Sequence, residues 1–346
     1  MAIVHSQGFD LVSDAADMAK AGWAYAEGLG IAATANKWGG PCWDLGVSTN
    51  SVIQHVVTTY ATDHYKSVSF WRYYSAMPAS AASCVVMLGD NPPSGSPIGS
   101  SSHFSIYTQP GQTGDIQVNR ASAGQVAIIP SVIKVGVWQH WEARVFHGTS
   151  TGTIEIWVDG IKIADFTGLD TIDSNNSGNW TFAGAPNNAN CYIDDIVMAH
   201  NNVGPEPQRG IHRIQTLYPN GDSANTAWTG TFADVDDPQG GSDEDTTFAA
   251  TAVLNAKQDY TLTDLVDSPA TIHGVNVYME SRKTDAGLAA VTPYINSNAT
   301  EAAGVEVGSA EAYGVTHDVF VLNPDGAVAW NTAAVDALIV GHELTS

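Results

Sequence analysis

Carboxylates dominate the groups that could do chemistry in this chain: 36 Asp and Glu stand against 13 Lys and Arg in 346 residues. Within GTIEIWVDG (152–160), Glu155 and Asp159 lie on one face of a period-two strand, opposite Ile154, Ile156 and Val158. A retaining glycosidase needs two carboxyl groups about 5 Å apart. Glu155 and Asp159 are separated by Trp157, and Glu142 in WEARVF has no acid partner in its own strand. A solvated strand face accounts for these acids more simply, so no catalytic residue is assigned and the chain is expected not to be an enzyme.

The other candidate constellations fail on spacing. Asp194 and Asp195 sit inside the apolar run YIDDIVMAH, one carboxylate directed to each side and one expected to bond a neighbouring loop. Calcium takes six to eight oxygens, and no loop supplies the remainder. The acidic run Asp234, Asp236, Asp237, Asp243, Glu244 and Asp245 breaks the EF-hand pattern, with Pro238 interposed and no Gly at the sixth position, so a solvated loop is expected. Eleven histidines form no HxH or HExxH spacing, and His140 and His147, an odd number apart, fall on opposite strand faces. There is no nucleophile elbow and no phosphate-cradling glycine loop. Cys42, Cys84 and Cys191 are dispersed and odd in number, so at most one bridge could form and structural zinc is a poor fit. No cofactor or metal is expected. Trp23, Trp38, Trp43 and Trp71 could stack on sugar rings, but core or contact roles are the favoured reading.

The elements that would carry these groups are β-strands. Short apolar or alternating runs recur between turns: SVIQHVVTTYA, SVSFWRYYSAM, SCVVMLGD, HFSIYTQ, DIQVNR, QVAIIPS, WEARVFHG, TIEIWVDG, NWTFAGA and YIDDIVMAH. Asp159-Gly160 suits a type I′ turn, with Ile161 and Ile163 resuming the alternation. One short helix is predicted at Ser13–Lys20, and GDNPPSGSPIGSSS is a long loop. HNNVGPEPQRG (200–210) reads as a linker, which sets a boundary near Val203 and two domains, 1–203 and 204–346. In the second, GIHRIQTLYP, TTFAATAVLN, TIHGVNVYMES, HDVFVLN and DALIVGHEL are predicted strands. The fold class is all-β.

HWEARVFHGTSTGTIEIWVDGIKIADFTG, then NWTFAGAPNNANCYIDDIVMAH, together with the opening SQGFDLVSDAADMAKAGWAY, resembles concanavalin A-like, laminin-G-like jelly rolls over residues 1–203. That resemblance implies a jelly-roll sandwich, a fold shared by lectins, glycosidases and structural modules. The second half, through GIHRIQTLYPNGDSANTAWTG, DEDTTF and AWNTAAVDALIVGHEL, is similar to a C-terminal β-sandwich-like module of tailed-bacteriophage virion proteins. Together they imply a non-enzymatic virion structural protein, a capsid decoration, head fibre or tail component acting through protein–protein contacts. The alternative is a carbohydrate-binding receptor-recognition module.

The bulk numbers agree with that picture. Net charge is −23, without the basic footprint of a nucleic-acid binder. No run of about 18 apolar residues suggests a membrane span, and MAIVHSQGFD lacks a secretory pattern. The expected partners are other virion proteins, further copies of the chain in a symmetric multimer such as a trimer, and a host-surface glycan, with no nucleic acid or membrane. The expected location is the virion, assembled in the host cytoplasm.

Overall fold

Period-two alternation becomes strand almost wherever the first half carries it. The computed structural model describes residues 2–9, 23–27, 30–32, 37–38, 41–45, 52–55, 64–77, 84–89, 102–109, 114–120, 124–172, 179–183, 191–201, 208–237, 243, 245–269 and 271–346. The predicted helix at Ser13–Lys20 and the interior of the 89–102 loop lie outside these residues. The chain divides into two compact units, Met1–Ile214 and Gln215–Ser346. Residues 208–214 therefore belong with the first unit, beyond the boundary expected near Val203.

The first unit holds strands β1 (Ala2–Gln7), β2 (Trp23–Glu27), β3 (Gly30–Ala32), β4 (Cys42–Asp44), β5 (Val52–His55), β6 (Tyr65–Tyr74), β7 (Cys84–Gly89) and β8 (Ser102–Thr108). They continue with β9 (Ile116–Arg120), β10 (Gly124–Ile129), β11 (Gln139–Phe146), β12 (Gly152–Val158), β13 (Ile161–Leu169), β14 (Asn179–Ala183) and β15 (Cys191–Asn201). One antiparallel sheet runs β13-β12-β11-β6-β15-β4-β3, with β1 also on β15, and the other β10-β9-β8-β7-β14-β5-β2. The first sheet contributes Val68, Phe70, Trp141, Ala143, Val145, Ile154 and Ile156 to the apolar core. The second answers with Val86, Leu88, Phe104, Ile106, Val118, Trp180 and Phe182. This is the jelly-roll sandwich that the alternation implied.

Two local devices orient the outer face of the first sheet. At the β12–β13 turn Asp159 and Gly160 take φ of 50° and 79°, as a type I′ turn demands. The Asp159 carboxylate accepts the His140 backbone N–H at 2.9 Å, tying the turn to β11. In β15 the pairing with β6 shifts between Asp194 and Val197, and Asp195 has φ of 48°. The bulge keeps both Ile193 and Ile196 in the core. The two aspartates therefore do not alternate as a regular strand would have them; both are buried.

The second unit contains β16 (Pro219–Thr226), β17 (Lys257–Leu262), β18 (Val275–Ser281), β19 (Ala290–Ser297), β20 (Thr300–Ala303), β21 (Val307–Gly308), β22 (Gly314–Phe320) and β23 (Ile339–Leu344). Its main sheet is β16-β17-β23-β19-β20, with β21 on β19, beside a β18–β22 ribbon. One helical turn, α1 (Thr332–Asp336), is capped by Asn331, whose side chain accepts from the Ala334 N–H at 2.9 Å. Ile295, Trp330, Val335 and Leu338 form an apolar cluster.

Two predicted strands are absent. In TTFAATAVLN, only Ala250 makes a bridge, to Thr229, and turn bonds such as Thr246 N–H to the Asp243 carbonyl take the rest. GIHRIQTLYP has no ladder until Pro219; its first residues bond instead to the outer face of the first sheet. Conversely PNGDSANT is strand β16, where Gly221 lets the backbone approach Thr261: a Cβ there would lie 2.8 Å from its hydroxyl. An edge strand needs only one ladder, so it tolerates Pro and Gly.

Candidate functional site

The outer face of the first sheet carries side chains from alternate positions of β6, β11, β12 and β15. At one level Tyr73 of β6 is paired in register with Tyr192 of β15. Trp138, just before β11, completes a cluster with centroids 5.7 Å (Tyr73–Trp138), 5.7 Å (Tyr73–Tyr192) and 6.5 Å (Trp138–Tyr192) apart. Tyr192 stacks with both other rings, at interplanar angles of 27° and 29°. All three are half-buried, leaving ring surface open, and the preceding Val135 and Val137 are exposed. Half-wet rings beside polar groups are what a sugar-binding surface requires.

One step along the strands the face is covered. Residues 208–214 cross it as a strap. The Gln208 amide donates to the Gly160 carbonyl at 3.2 Å. The backbone N–H groups of Arg209 and Gly210 donate to the Glu142 carboxylate at 3.0 and 3.3 Å. The Trp71 indole donates to the His212 carbonyl at 2.7 Å, and Ile214 packs within 3.1 Å of where a Gly8 Cβ would be. His212 Nε2 is 3.0 Å from the Asp195 carbonyl, and its Nδ1 is 3.0 Å from His140 Nε2. A carbonyl only accepts, and the Asp195 carbonyl at 3.0 Å from Nε2 is nearer than the Gly210 carbonyl at 3.4 Å from Nδ1, so the neutral His212 ring is assigned its proton at Nε2 and accepts from His140 Nε2–H at Nδ1.

Electrostatics follow from this cover. Burial, then the neighbouring His212 and Lys37, holds His140 down to about 2, so it is neutral. Burial pushes Glu142 above the usual carboxylate range, against the opposing pull of the Arg209 and Gly210 N–H bonds. Lys37, with its ammonium 3.2 Å from the Trp71 ring centroid, is lowered by desolvation while Asp159 and Asp195 pull the other way. Trp38 stands edge-on to Trp71 and donates to Asp195 at 2.9 Å.

The sequence-derived candidates land as follows. Glu155 and Asp159 do not form a pair: Glu155 accepts from Arg144 and Lys162 at 2.6 Å each, and Asp159 serves the turn. Glu155 is thus engaged in ion pairs where a solvated face was expected. Arg144 and Lys162 both sit 5.0 Å from the Trp157 ring. Asp194 accepts the Asp195 N–H at 2.8 Å. In the acidic run, Asp234 closes a capping box with Thr231, Asp237 accepts the Asp243 N–H, Asp243 caps Thr247, and Asp245 pairs with Arg282. That loop is organised by its acids; Glu244 lies outside the described residues. Among the described residues no three His, Cys, Asp or Glu side chains converge as a metal site.

His140 meets His212 while His147 meets His103, at 4.8 Å between centroids. Trp23 and Trp43 are core residues and Trp71 is covered, whereas Trp38 is 39% exposed. Cys42, Cys84 and Cys191 are buried; burial pushes Cys84 up to about 12, against the pull of Arg72. The Tyr73–Trp138–Tyr192 cluster and the strap escaped the sequence reading. The signal for the first was present: in SVSFWRYY, Trp71 and Tyr73 fall on the face opposite Val68 and Phe70.

The first unit is thus a jelly-roll sandwich with an aromatic patch on one sheet. Solved structures similar to this chain include an endo-β-1,4-glucuronan lyase from Trichoderma reesei (12% identity, 57% of this chain and 95% of that one, TM-score 0.41). An alginate lyase from Chlorella virus (14%, 57% and 99%, 0.40) and a basic winged bean lectin with Tn-antigen (11%, 58% and 99%, 0.39) are also similar. No protein-family profile matches the chain, and no curated protein does. The expectation that the chain is not an enzyme is corrected here: its similar structures include polysaccharide lyases as well as lectins. The fold houses cleavage and binding alike.

Proposed function

We propose that the chain is a glycan-recognising component of a tailed-phage particle, with sugar seated on the outer face of the first sheet at Tyr73, Trp138 and Tyr192. The three-ring cluster carries this reading, because its rings are only part-buried and together offer apolar surface to the C–H face of a pyranose. Attachment to other virion proteins, or to further copies of the chain, has separate support in the exposed apolar side chains of the second unit. Leu288 is 95% exposed and Val266 77%, with Val253 and Val305 also open. Whether these surfaces serve a capsid or a tail position is answered by locating the chain in purified particles by electron microscopy.

A glycan array of the full chain tests the sugar site. Binding is expected, and Tyr73→Ala or Trp138→Ala should weaken it about tenfold or more. Absence of any glycan ligand, or equal binding by the variants, would sink the site. Incubation with uronate-containing polysaccharides, read by ultraviolet absorbance of unsaturated products, tells cleavage from binding alone.

A further inference from the structure

We infer that residues 208–214 form an acid-released latch over the outer face of the first sheet, with the His140–His212 contact as its trigger. This inference stands apart from the glycan reading, since it rests on how the strap is held.

The strap is fastened by polar bonds to a polar surface. Glu142 takes two backbone N–H groups, the Trp71 indole takes the His212 carbonyl, and His212 bridges the Asp195 carbonyl and His140. Ser69, paired with Glu142 across β6 and β11, is buried with its hydroxyl unpartnered, so part of the covered surface is better served by water. Gly210 has φ of 75° with open space around it, so the strap turns at a residue that adopts this conformation without strain.

The trigger follows from the 3.0 Å gap between the facing ring nitrogens. Only one proton fits in that gap. A first added proton goes to His140 Nδ1 and leaves the gap proton shared between the rings; a second, on His212 Nδ1, places two N–H donors nose to nose. The charged and titratable groups around the pair are Glu142 on β11, Asp159 at the β12–β13 turn, Asp195 on β15, Lys37 on its turn, and Arg209 and Arg213 on the strap. β6 contributes the neutral Trp71. The carboxylates favour an added proton, while Lys37, Arg209 and Arg213 disfavour it.

A released strap leaves both imidazoles in water with ordinary values near about 6.5. With one histidine kept neutral by closure, the closed state loses up to about tenfold in relative population for each pH unit below that value. Glu142 acts with the opposite sign, because its raised closed-state value makes its own protonation favour closure. Glu142 thus offsets part of the histidine effect wherever it titrates.

Hydrogen exchange of the full chain, corrected for intrinsic rates, tests this at about pH 7 and about pH 5. Amides of residues 208–214 should lose about tenfold or more of their protection at the lower pH while β6 amides keep theirs. The double variant His140→Gln/His212→Gln retains a donor for the Asp195 carbonyl but takes up no proton at this contact, so its strap should stay protected at both values; either single variant should lose less protection than the parent chain. Unchanged protection in the parent chain, or the same acid loss in a folded glutamine variant, would overturn the latch. Glycan binding at the two pH values is a separate arm: its absence removes the sugar site and leaves the exchange result standing.

Discussion

Phe70 and Asp259 make the contrast between the two units concrete. Phe70 sits in a continuous apolar core between two sheets, edge-on to Phe182 at 5.0 Å. Asp259 is a buried carboxylate that accepts the Asn225 amide at 2.6 Å and the Tyr294 hydroxyl. The second unit exposes many of its large apolar side chains and fixes its sheet through such bonds. Gln258, beside Asp259, accepts the Trp228 N–H at 3.3 Å. The sandwich also buries polar groups, such as Arg72 donating to the Val85 carbonyl, but its inward positions are mostly apolar, whereas the second unit places a carboxylate at the centre of its sheet and relies more on directed bonds.

The largest expected effect probes the first half of that contrast. Phe70→Ala should destabilise the sandwich by about 3–5 kcal/mol, since the flanking sheets cannot collapse around the void. Urea denaturation followed by tryptophan fluorescence measures it. A loss below about 1 kcal/mol would mean that the core is loosely packed, and the contrast would fail.

Asp259→Asn probes the other half. It conserves shape but replaces a charged acceptor of several bonds, so a loss of about 1.5–3 kcal/mol is expected. Exchange of β17 amides reads it. Tyr294→Phe, which removes one donor and leaves the others, should cost less; equal losses would mean that Tyr294 alone carries the network.

These two sites also differ in how far the sequence discloses them. The inward positions of β11 and β12, and the turn at Asp159-Gly160, are legible because they depend on period-two patterning and one dipeptide. Asp259 is silent in the sequence: its partners lie 34 and 35 positions away. The strap reads as the end of a linker and the start of a strand for the same reason, its bonds to Glu142 and Trp71 spanning 67 and 141 positions. The β15 bulge defeats parity at Asp194 and Asp195, since an inserted residue redirects every side chain beyond it. Patterning discloses sheets, but the site arises where non-local segments meet them.

Acid sharpens the comparison through two buried histidines. Burial, with Lys66, His103 and His64 alongside, lowers His147 to about 2; burial lowers His342 to about 4, with Asp259 pulling upward. Both would titrate near about 6.5 in the unfolded chain, so below that value the unfolded state binds more protons. The stability they contribute is complete above about 6.5 and declines as pH falls, down to about 4 for His342 and about 2 for His147. Each adds a slope of at most about 1.4 kcal/mol per pH unit. Urea midpoints taken between about pH 7 and pH 5 should fall, and His147→Gln should flatten the sandwich's share. An unchanged slope in that variant would show that another group drives the acid response.

The smallest effect is expected at Glu155, the residue that first suggests an acid catalyst. Its two oxygens are taken by Arg144 and Lys162, and Lys162 has a second carboxylate, Asp165, at 2.9 Å. Glu155→Gln keeps the volume and one acceptor, so the network loses charge but little geometry. Lys162 is the exposed partner and contributes little, Arg144 is mostly covered but keeps an acceptor, and the change should stay at about 1 kcal/mol. Sugar binding at Tyr73, Trp138 and Tyr192, and any polysaccharide cleavage, should persist in this variant. A variant that keeps its stability yet loses either activity would place Glu155 in contact with the ligand, and would extend the working surface from the aromatic cluster across β11 to β12.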